Sequence, residues 1–332
     1  MRPQTKSDDE TTVSQMKLIF NEIQTIYDAG TPIFTKDNIR KVGEELQRFQ
    51  NGERENGGKV VLKGVNGVDY EVSVAPRGDD PPRENEYFGG SAWAISYRSI
   101  QCLTTSYTEA ELFDFQSAYL PMRICAAIRL LNNSPEDKEP PAPPVEDFST
   151  YQAMERQWRA SQHYEQVQAI LATIEVPCSL TKVIGLALGA LVPRSQVIKR
   201  HVLQHALISA IHSTLVRHGI LSVSSKQYVQ DPAYSQRARD ILHSAGLTVL
   251  EDPQALLELD ESSVLVCINT ELPVEDIVAD ICRPGIIIWT QRRHNLPLSP
   301  RVNSMIENEY LETGFPHHEC FGNMVILTRK ST

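Results

Sequence analysis

Two carboxylates stand at equivalent points of this chain, each just after an apolar run short enough to be a strand. Asp231-Pro232-Ala233-Tyr234 follows Lys226-Gln227-Tyr228-Val229-Gln230, and Asn269-Thr270-Glu271-Leu272-Pro273 follows Val264-Leu265-Val266-Cys267-Ile268. Asp231 can cap the helix that comes next, with Pro232 setting its entry, or it can present its carboxylate in a cleft. Glu271 is a poor cap residue, so capping does not readily explain both acids. Side by side they can hold a guanidinium or an amine, or one can act as a general base.

Histidines supply a second group of candidates. His201, His205 and His212 fall within about 40° of one another on a helix, with Ile208 between them. A pair at i and i+4 can ligate a metal or haem. No third ligand is set by spacing, so histidines bonded within the fold or exposed to water are the competing reading. The six cysteines form no C-x-x-C pair; reduced thiols are expected rather than disulfides or a zinc ribbon. Gly185 and Gly189 are spaced G-x-x-x-G with bulky residues between, which is neither the dinucleotide fingerprint nor a phosphate loop. There is no G-x-S-x-G elbow and no H-E-x-x-H helix. No cofactor is therefore expected, and no hydrolase triad can be assigned.

The net charge of −10 argues against broad affinity for nucleic acid, because that affinity comes from neutralising phosphates with Lys and Arg. Local basic clusters remain: Arg194, Lys199, Arg200 and His201 through Arg217 and His218, and Arg292-Arg293-His294. Solvated surface is the alternative for both.

These groups need a frame, and the frame is legible. Lys182–Leu188, Lys226–Gln230, Leu247–Leu250, Val264–Ile268 and Gly285–Trp289 are short apolar runs without polar alternation, as expected of strands covered on both faces of a parallel sheet. Helical patterns lie between them at Gln196–His218, Ser235–Ala245, closed by Gly246, and Val274–Cys282, entered through Pro273. Right-handed crossovers would bring every strand-to-helix loop to one end of the sheet, where open α/β sheets bind ligands. The fold expected is α/β, a mostly parallel Rossmann-like sheet flanked by helices, with an N-terminal α+β lobe.

That lobe is assigned to residues 1–132. Thr11–Ala29 and Thr35–Gln50 read as amphipathic helices, the second capped at Thr35. Val60–Lys63 and Val68–Val74 alternate around Asn66-Gly67, a hairpin signal. A charged loop spans Arg77–Glu86, a strand is expected at Ser91–Tyr97, and Thr108–Asn132 reads as helix broken at Pro121. Residues 133–147, with five prolines and five acidic residues, are the linker. The α/β domain occupies 148–332 and opens with one long helix, Ser149–Ile174, whose Tyr151, Met154, Trp158, Tyr164, Val167 and Ile170 face the core. No run approaches the roughly 20 apolar residues of a membrane helix, and Met1–Thr12 lacks the apolar centre of a signal peptide. A cytoplasmic protein is expected, with neither membrane nor DNA as a partner.

Lys182–Gly189, Gln204-His205-Ala206-Leu207, Gln230–Tyr234, Val264–Pro273 and Arg283–Trp289 together resemble, over about residues 150 to 290, the domain family named after the plant "sensitivity to red light reduced" protein. The Asp-Pro-x-Tyr and x-Pro-x-x-Ile-x-x-x-Ile segments look like its fungal branch. The resemblance implies one of two functions. Plant and animal relatives are regarded as regulators linked to the clock and to haem metabolism. Some fungal relatives are arginine-containing cyclodipeptide synthases, which close arginine and a second amino acid, both taken from aminoacyl-tRNAs, into a diketopiperazine. Under the synthase expectation the two esters carry the free energy, so no ATP loop is needed. Glu271 or Asp231 would be base or guanidinium partner, with Tyr234 and Asn269 as polar positioners. Gln204, His205, Gly185 and Trp289 would line the substrate. Lys199, Arg200, Arg292 and Arg293 would contact arginyl-tRNA and a second aminoacyl-tRNA, and tailoring enzymes would take the product. A covalent aminoacyl-enzyme on Ser209 or Cys267 has no activating neighbour in the sequence.

Overall fold

The structure, a computed structural model, describes residues 6–52, 58–74, 86–87, 93–105, 115–126, 129–130, 148–191, 195–270, 272–291 and 298–331. The 133–147 segment, Glu271, Arg194, Arg292, Arg293 and His294 lie outside the described residues. The chain divides into two compact units, one of Met1–Pro81, Gly90–Ala127 and Glu275–Ile281, the other of Pro82–Gly89, Ile128–Val274 and Cys282–Thr332.

In the first unit, α1 (Lys6–Asp28) and α2 (Lys36–Gln50) precede the hairpin of β1 (Lys59–Lys63) and β2 (Asp69–Ser73). Thr35 caps α2 by accepting from the Asn38 N–H, and Ile39, Val42, Leu46 and Phe49 form its buried stripe. Gly67 takes φ +78° in the turn, as an Asn-Gly hairpin requires. The Asp280 carboxylate accepts from the Ile33 and Phe34 N–H groups at 2.7 and 3.0 Å, which places the Glu275–Ile281 segment with this unit. After the short β3 (Glu86–Tyr87), which belongs to the second unit, come β4 (Trp93–Tyr97) and α3 (Ile100–Thr105) of the first.

From Phe115 onward the helix expected over Thr108–Asn132 does not form among the described residues; Thr108–Asp114 lie outside them. Among the described residues that stretch holds a 3-10 turn at Phe115–Tyr119, then β5 (Met122–Ala126), paired antiparallel with β4, and β6 (Arg129–Leu130). Met122 and Ile124 are buried while Cys125 is exposed, a period of two that the strand satisfies and a helix does not.

The second unit holds the β3–β6 pair and continues with α4 (Phe148–Arg159) and α5 (Gln162–Leu171). These replace the single helix expected over Ser149–Ile174. Ser161 has an extended backbone and its side chain accepts from the Tyr164 N–H, so it starts a new helix instead of continuing the first. The aromatic face survives the break: Tyr151, Trp158, Tyr164 and Val167 are buried, and Met154 and Ile170 pack against the same core.

The sheet follows as β7 (Leu180–Leu186), α6 (Ser195–Arg217), β8 (Leu221–Gln230), α7 (Gln236–Ser244), β9 (Thr248–Val249), α8 (Gln254–Glu258), β10 (Ser263–Cys267), α9 (Val274–Ile281) and β11 (Ile286–Thr290). Each apolar run read from the sequence is one of these strands. A helix α10 (Pro300–Glu309) and two strands, β12 (Tyr310–Gly314) and β13 (Met324–Arg329), lie beyond them. Ser299 capping α10 with Pro300 in its first turn, and the Met324–Leu327 apolar run, are the signals that mark these elements. The seven strands run in the order β12-β13-β11-β10-β7-β8-β9, parallel from β11 to β9 and with β13 antiparallel to both neighbours. This is a mixed α/β fold with a mostly parallel sheet flanked by helices, Rossmann-like in outline.

Burial explains the composition of the strands, since every residue of β10 and of Ile286–Trp289 is buried. Their unbroken apolarity reflects two covered faces. α6 packs on one face with Val202, Leu203, Ala206, Leu207, Ile208, Ala210, Ile211 and Leu215 in the core. Gly185 allows that approach: a Cβ there would lie 2.6 Å from Leu188 Cδ1 and 2.9 Å from Ile208 Cδ1. Gly185→Val is therefore expected to destabilise the chain by about 1–3 kcal/mol through overpacking. Urea unfolding followed by circular dichroism measures this, and an unchanged midpoint would show that strand and helix do not meet there.

Candidate functional site

β7 is the strand at which the chain reverses its progress across the sheet. It continues to β8 and β9 on one side, then crosses to β10 and β11 on the other. β7 and β10 are thus neighbours whose following connections leave in opposite directions, the arrangement that opens a crevice at the carboxyl edge.

Hydrogen bonding shows how it opens. The two strands stay paired through Leu186 and Cys267. Beyond that point the Ala187 N–H donates to the Gln230 carbonyl at 2.9 Å, and the Asn269 N–H donates to Thr290 Oγ1 at 2.7 Å. Each backbone turns toward its outer neighbour. To do so Ala187 takes φ 53° and Asn269 φ 48°; among the described residues these are the only non-glycine residues with positive φ. Asn tolerates this region, but Ala has no polar side chain to compensate, and such conformations cost on the order of 1–3 kcal/mol. Strain gathered on two adjacent strand ends marks the crevice as a candidate site.

Asp231 holds the β7 side of it. Its Oδ2 accepts from the Gly189 N–H at 2.8 Å and its Oδ1 from the Ala233 N–H at 2.9 Å. The cap of α7 is Ser235, which accepts from the Ala238 N–H. Asp231 therefore organises the β7–α6 loop and its own turn, and Pro232 lies before the helix entry.

His201 closes the loop from the helix side. Its Nδ1 bonds to the Ala190 carbonyl at 2.6 Å, and its Nε2 occupies the space beside Gly189, where a Cβ would collide with the ring. Gly189 is required twice over, by that approach and by its φ of +82°. Burial lowers the His201 pKa, opposed by its bond to Ala190 and by the Asp231 charge. This residue belongs to the site although the sequence placed it only in a histidine stripe and a basic cluster. Its signal was position: it lies in the second turn of the helix that follows the central strand.

One turn further along, His205 is fully buried. Its Nδ1 bonds to the His201 carbonyl at 2.6 Å and its Nε2 to the Tyr234 hydroxyl at 2.7 Å. A carbonyl can only accept, so the proton sits on Nδ1 and the tyrosine donates to Nε2. Burial brings His205 down to about 4 and pushes Tyr234 well above 10, so both are neutral. Gln204 Nε2 donates to the Cys320 carbonyl at 3.1 Å. His212 Nε2 pairs with the Ser225 carbonyl at 3.2 Å. Each stripe histidine thus bonds a backbone carbonyl, and among the described residues no group of three His, Cys, Asp or Glu side chains could hold a metal ion.

The remaining sequence candidates are dispersed. Gly185 is a packing residue and Trp289 is buried within β11 opposite Val325. Cys267 is buried at the end of β10. Lys199 and Arg200 are exposed near the start of α6, with Lys199 Nζ 3.4 Å from Glu319 Oε1. Glu271, Arg292 and Arg293 fall outside the described residues.

The Phe315–Gly322 segment is a component that the sequence did not suggest. A Cβ on Gly322 would come within 3.7 Å of the Asn269 amide nitrogen, so this segment borders the β10 strand end. It is pinned through His163, whose Nδ1 accepts from the Trp158 indole at 3.2 Å while Nε2 donates to the Pro316 carbonyl at 3.1 Å. The His163 ring lies 4.5 Å from that of His318, whose Nδ1 accepts from the Cys320 N–H. Burial is the largest cause lowering the pKa of both rings.

Residues 165–298 match the family model described as SRR1 domain, which supports the "sensitivity to red light reduced" domain family for that part of the chain. No curated protein matches. Among solved structures, the pyocyanin biosynthetic protein PhzM is similar at 10% identity and a TM-score of 0.28, over 56% of this chain and 62% of that one. A Thermoplasma acidophilum protein, 1320, is similar at 8% identity and a TM-score of 0.27, over 52% of this chain and 100% of its own. This chain thus spans less than two thirds of the first of these. Among the described residues no helix is long and apolar enough to cross a membrane.

The buried histidines set a pH dependence of definite sign. Unfolded, His205 titrates near 6.5; folded, near 4. Stability is complete above about 6.5 and falls as the pH drops toward 4, because only the unfolded chain takes up the proton. The loss is roughly 3 kcal/mol for this residue. His163, His201, His212 and His318 shift in the same direction. In His205→Gln the loss of unfolding free energy between pH 7 and 4.5, read from urea unfolding at each pH, is expected to be smaller by about 2 kcal/mol. Equal slopes in variant and parent would remove His205 as a source.

Proposed function

We propose that this SRR1-type chain is a tRNA-dependent cyclodipeptide synthase of the arginine-using, fungal type, forming cyclo(Arg-Xaa) at the crevice between β7 and β10. The observation that carries the reading is the crevice itself. It lies at the point where the sheet reverses, framed by Asp231, Gly189, His201 and Asn269, and its first strand-to-helix loop carries the single Gly189 in place of the glycine series that would cradle a nucleotide. Substrates that arrive as esters need no such loop.

Arginyl-tRNA and a second aminoacyl-tRNA are the substrates. Lys199 and Arg200, exposed near the start of α6, are the proposed phosphate contacts on the described part of the chain. The Lys199–Glu319 pair does not stand in the way, since an exposed pair is worth about 0–1 kcal/mol. Arg292 and Arg293 extend the proposal by position alone. Glu271, four residues past the end of β10, is the proposed guanidinium partner. Asp231 acts through Gly189 as a positioning residue, and Tyr234 through His205. The reaction takes place in the cytoplasm, and the product passes to tailoring enzymes.

A noncatalytic regulator that binds a ligand in the same crevice is favoured by one specific observation. The Tyr234 hydroxyl, expected from the resemblance to position substrate directly, is buried against His205 instead.

One experiment separates the two. The purified chain is incubated with arginyl-tRNA and a mixture of other aminoacyl-tRNAs, and products are identified by mass spectrometry. Cyclo(Arg-Xaa) is expected, and is expected to vanish after ribonuclease treatment. Product made from free amino acids and ATP in the presence of ribonuclease would overturn the tRNA mechanism. Absence of product, with arginine still raising the melting temperature, would leave the regulator. Lys199→Gln with Arg200→Gln is expected to flatten the salt dependence of tRNA binding by about one unit of log–log slope for each phosphate that is no longer neutralised. An unaltered slope would assign both residues to ordinary surface.

A further inference from the structure

We infer that His201 Nε2 is the proton acceptor of the crevice and that the group it serves is the ammonium of a bound aminoacyl substrate. The inference rests on the synthase reading and supplies what that reading lacks among the described residues, a basic atom at the strand ends that is not bonded elsewhere.

Geometry selects the atom. The Ala190 carbonyl at 2.6 Å accepts from Nδ1, so the neutral ring carries its proton there and presents a bare lone pair at Nε2. No hydrogen-bond partner occupies Nε2 among the described residues, and the ring is half-buried. Nε2 lies against Gly189, on the loop whose Gly189 N–H is held by the Asp231 carboxylate at 2.8 Å. A fixed tautomer, a bare nitrogen and a nearby carboxylate together make a general base. The other candidates are occupied: both nitrogens of His205 are bonded, and the Tyr234 hydroxyl donates to one of them.

The charges around the ring suit the task. Burial is the largest influence and favours the neutral ring. Asp231, from the loop after β8, favours the imidazolium, and Arg200, on its own helix, opposes it. The ring is therefore neutral near pH 7 and ready to accept, and the carboxylate steadies the cation once it forms.

The step balances. The ammonium gives one proton to Nε2, and the free amine bonds to the ester carbonyl carbon. The carbon–oxygen bond to the ribose breaks with its electron pair, the departing oxygen takes the imidazolium proton, and the second amine proton passes to solvent. The products are an amide, a free tRNA 3′ end and one proton.

Three measurements on the full chain test this. His201→Ala is expected to reduce turnover on the order of 10²–10⁴-fold, while arginyl-tRNA binding stays within about twofold. Free imidazole at millimolar concentration is expected to restore part of the rate, with a pH profile that follows the added base; a structural role would not be rescued in this way. In the unmodified chain at pH 7.5, nitrogen-15 correlation spectra are expected to show the His201 ring protonated at Nδ1 and bare at Nε2. A proton on Nε2, or a His201→Ala variant with the parent's rate, or loss of rate without imidazole rescue in a variant that keeps the parent's melting temperature, would each overturn the inference. If His201→Ala does not fold, the spectrum decides. If the unmodified chain makes no product, the synthase reading falls, and His201 is judged by adding arginine methyl ester. A shift at Nε2 keeps it as the acceptor, and an unmoved resonance removes it.

Discussion

β7 and β10 can pair only as far as the chain path allows. β7 leads outward toward β8 and β10 leads outward toward β11, so the backbones bond to each other through Leu186 and Cys267 and away from each other beyond. The crevice, the left-handed conformations of Ala187 and Asn269, and the loop that brings Gly189 under His201 are all consequences of that divergence. Open α/β sheets bind ligands where their strand order reverses, because the two connections there lead away from each other. What the particular residues add is chemistry along the rim of the crevice.

That chemistry depends on proton positions that the burial of α6 imposes. His201 and His205 lie one turn apart on one face of the helix, and each gives its Nδ1 proton to a backbone carbonyl. The same choice of tautomer leaves Nε2 of each as an acceptor, and there the two diverge. His205 is fully buried and its acceptor is taken by Tyr234, so it joins α6 to the loop after β8. His201 lies nearer the helix start, is half-buried, and keeps its Nε2 against glycine. Position along one helix thus separates a histidine with both ring nitrogens bonded from one whose Nε2 lies beside a glycine.

The Phe315–Gly322 segment completes the border on the β10 side. It is held by neutral rings: Trp158 donates to His163, His163 donates to Pro316, and Gln204 holds the Cys320 carbonyl. Aromatic contacts of Trp158, His163 and His318 with Phe321 fill the space between. The antiparallel β13 that follows inserts beside β11 and anchors the segment at its far end.

Local pattern was enough for the central architecture. The five runs are all strands, but only the central ones are covered on both faces: Lys226 of β8 and Thr248 of β9 are exposed, because these strands lie at the edge side of the sheet. Three helical patterns with a glycine stop and a proline entry ordered the runs into parallel crossovers. From this followed the placement of Asp231 and Asn269 at one edge. Sequence also exposed the Thr35 cap and the Asn66-Gly67 hairpin, both decided by contacts a few residues apart. It misread the described part of Thr108–Asn132, from Phe115 on, and the Ser149–Ile174 helix, where the outcome turned on pairing with β4 and on one serine preferring to cap. Only the tertiary structure could tell which polar residues face each other. Asp231 bonds Gly189 across 42 positions, Gln204 bonds Cys320 across 116, and His163 bonds Pro316 across 153. Spacing along a chain encodes which face of a helix or strand a residue occupies, but what that face meets is decided by the order in which the strands assemble, and that order is a property of the whole sheet.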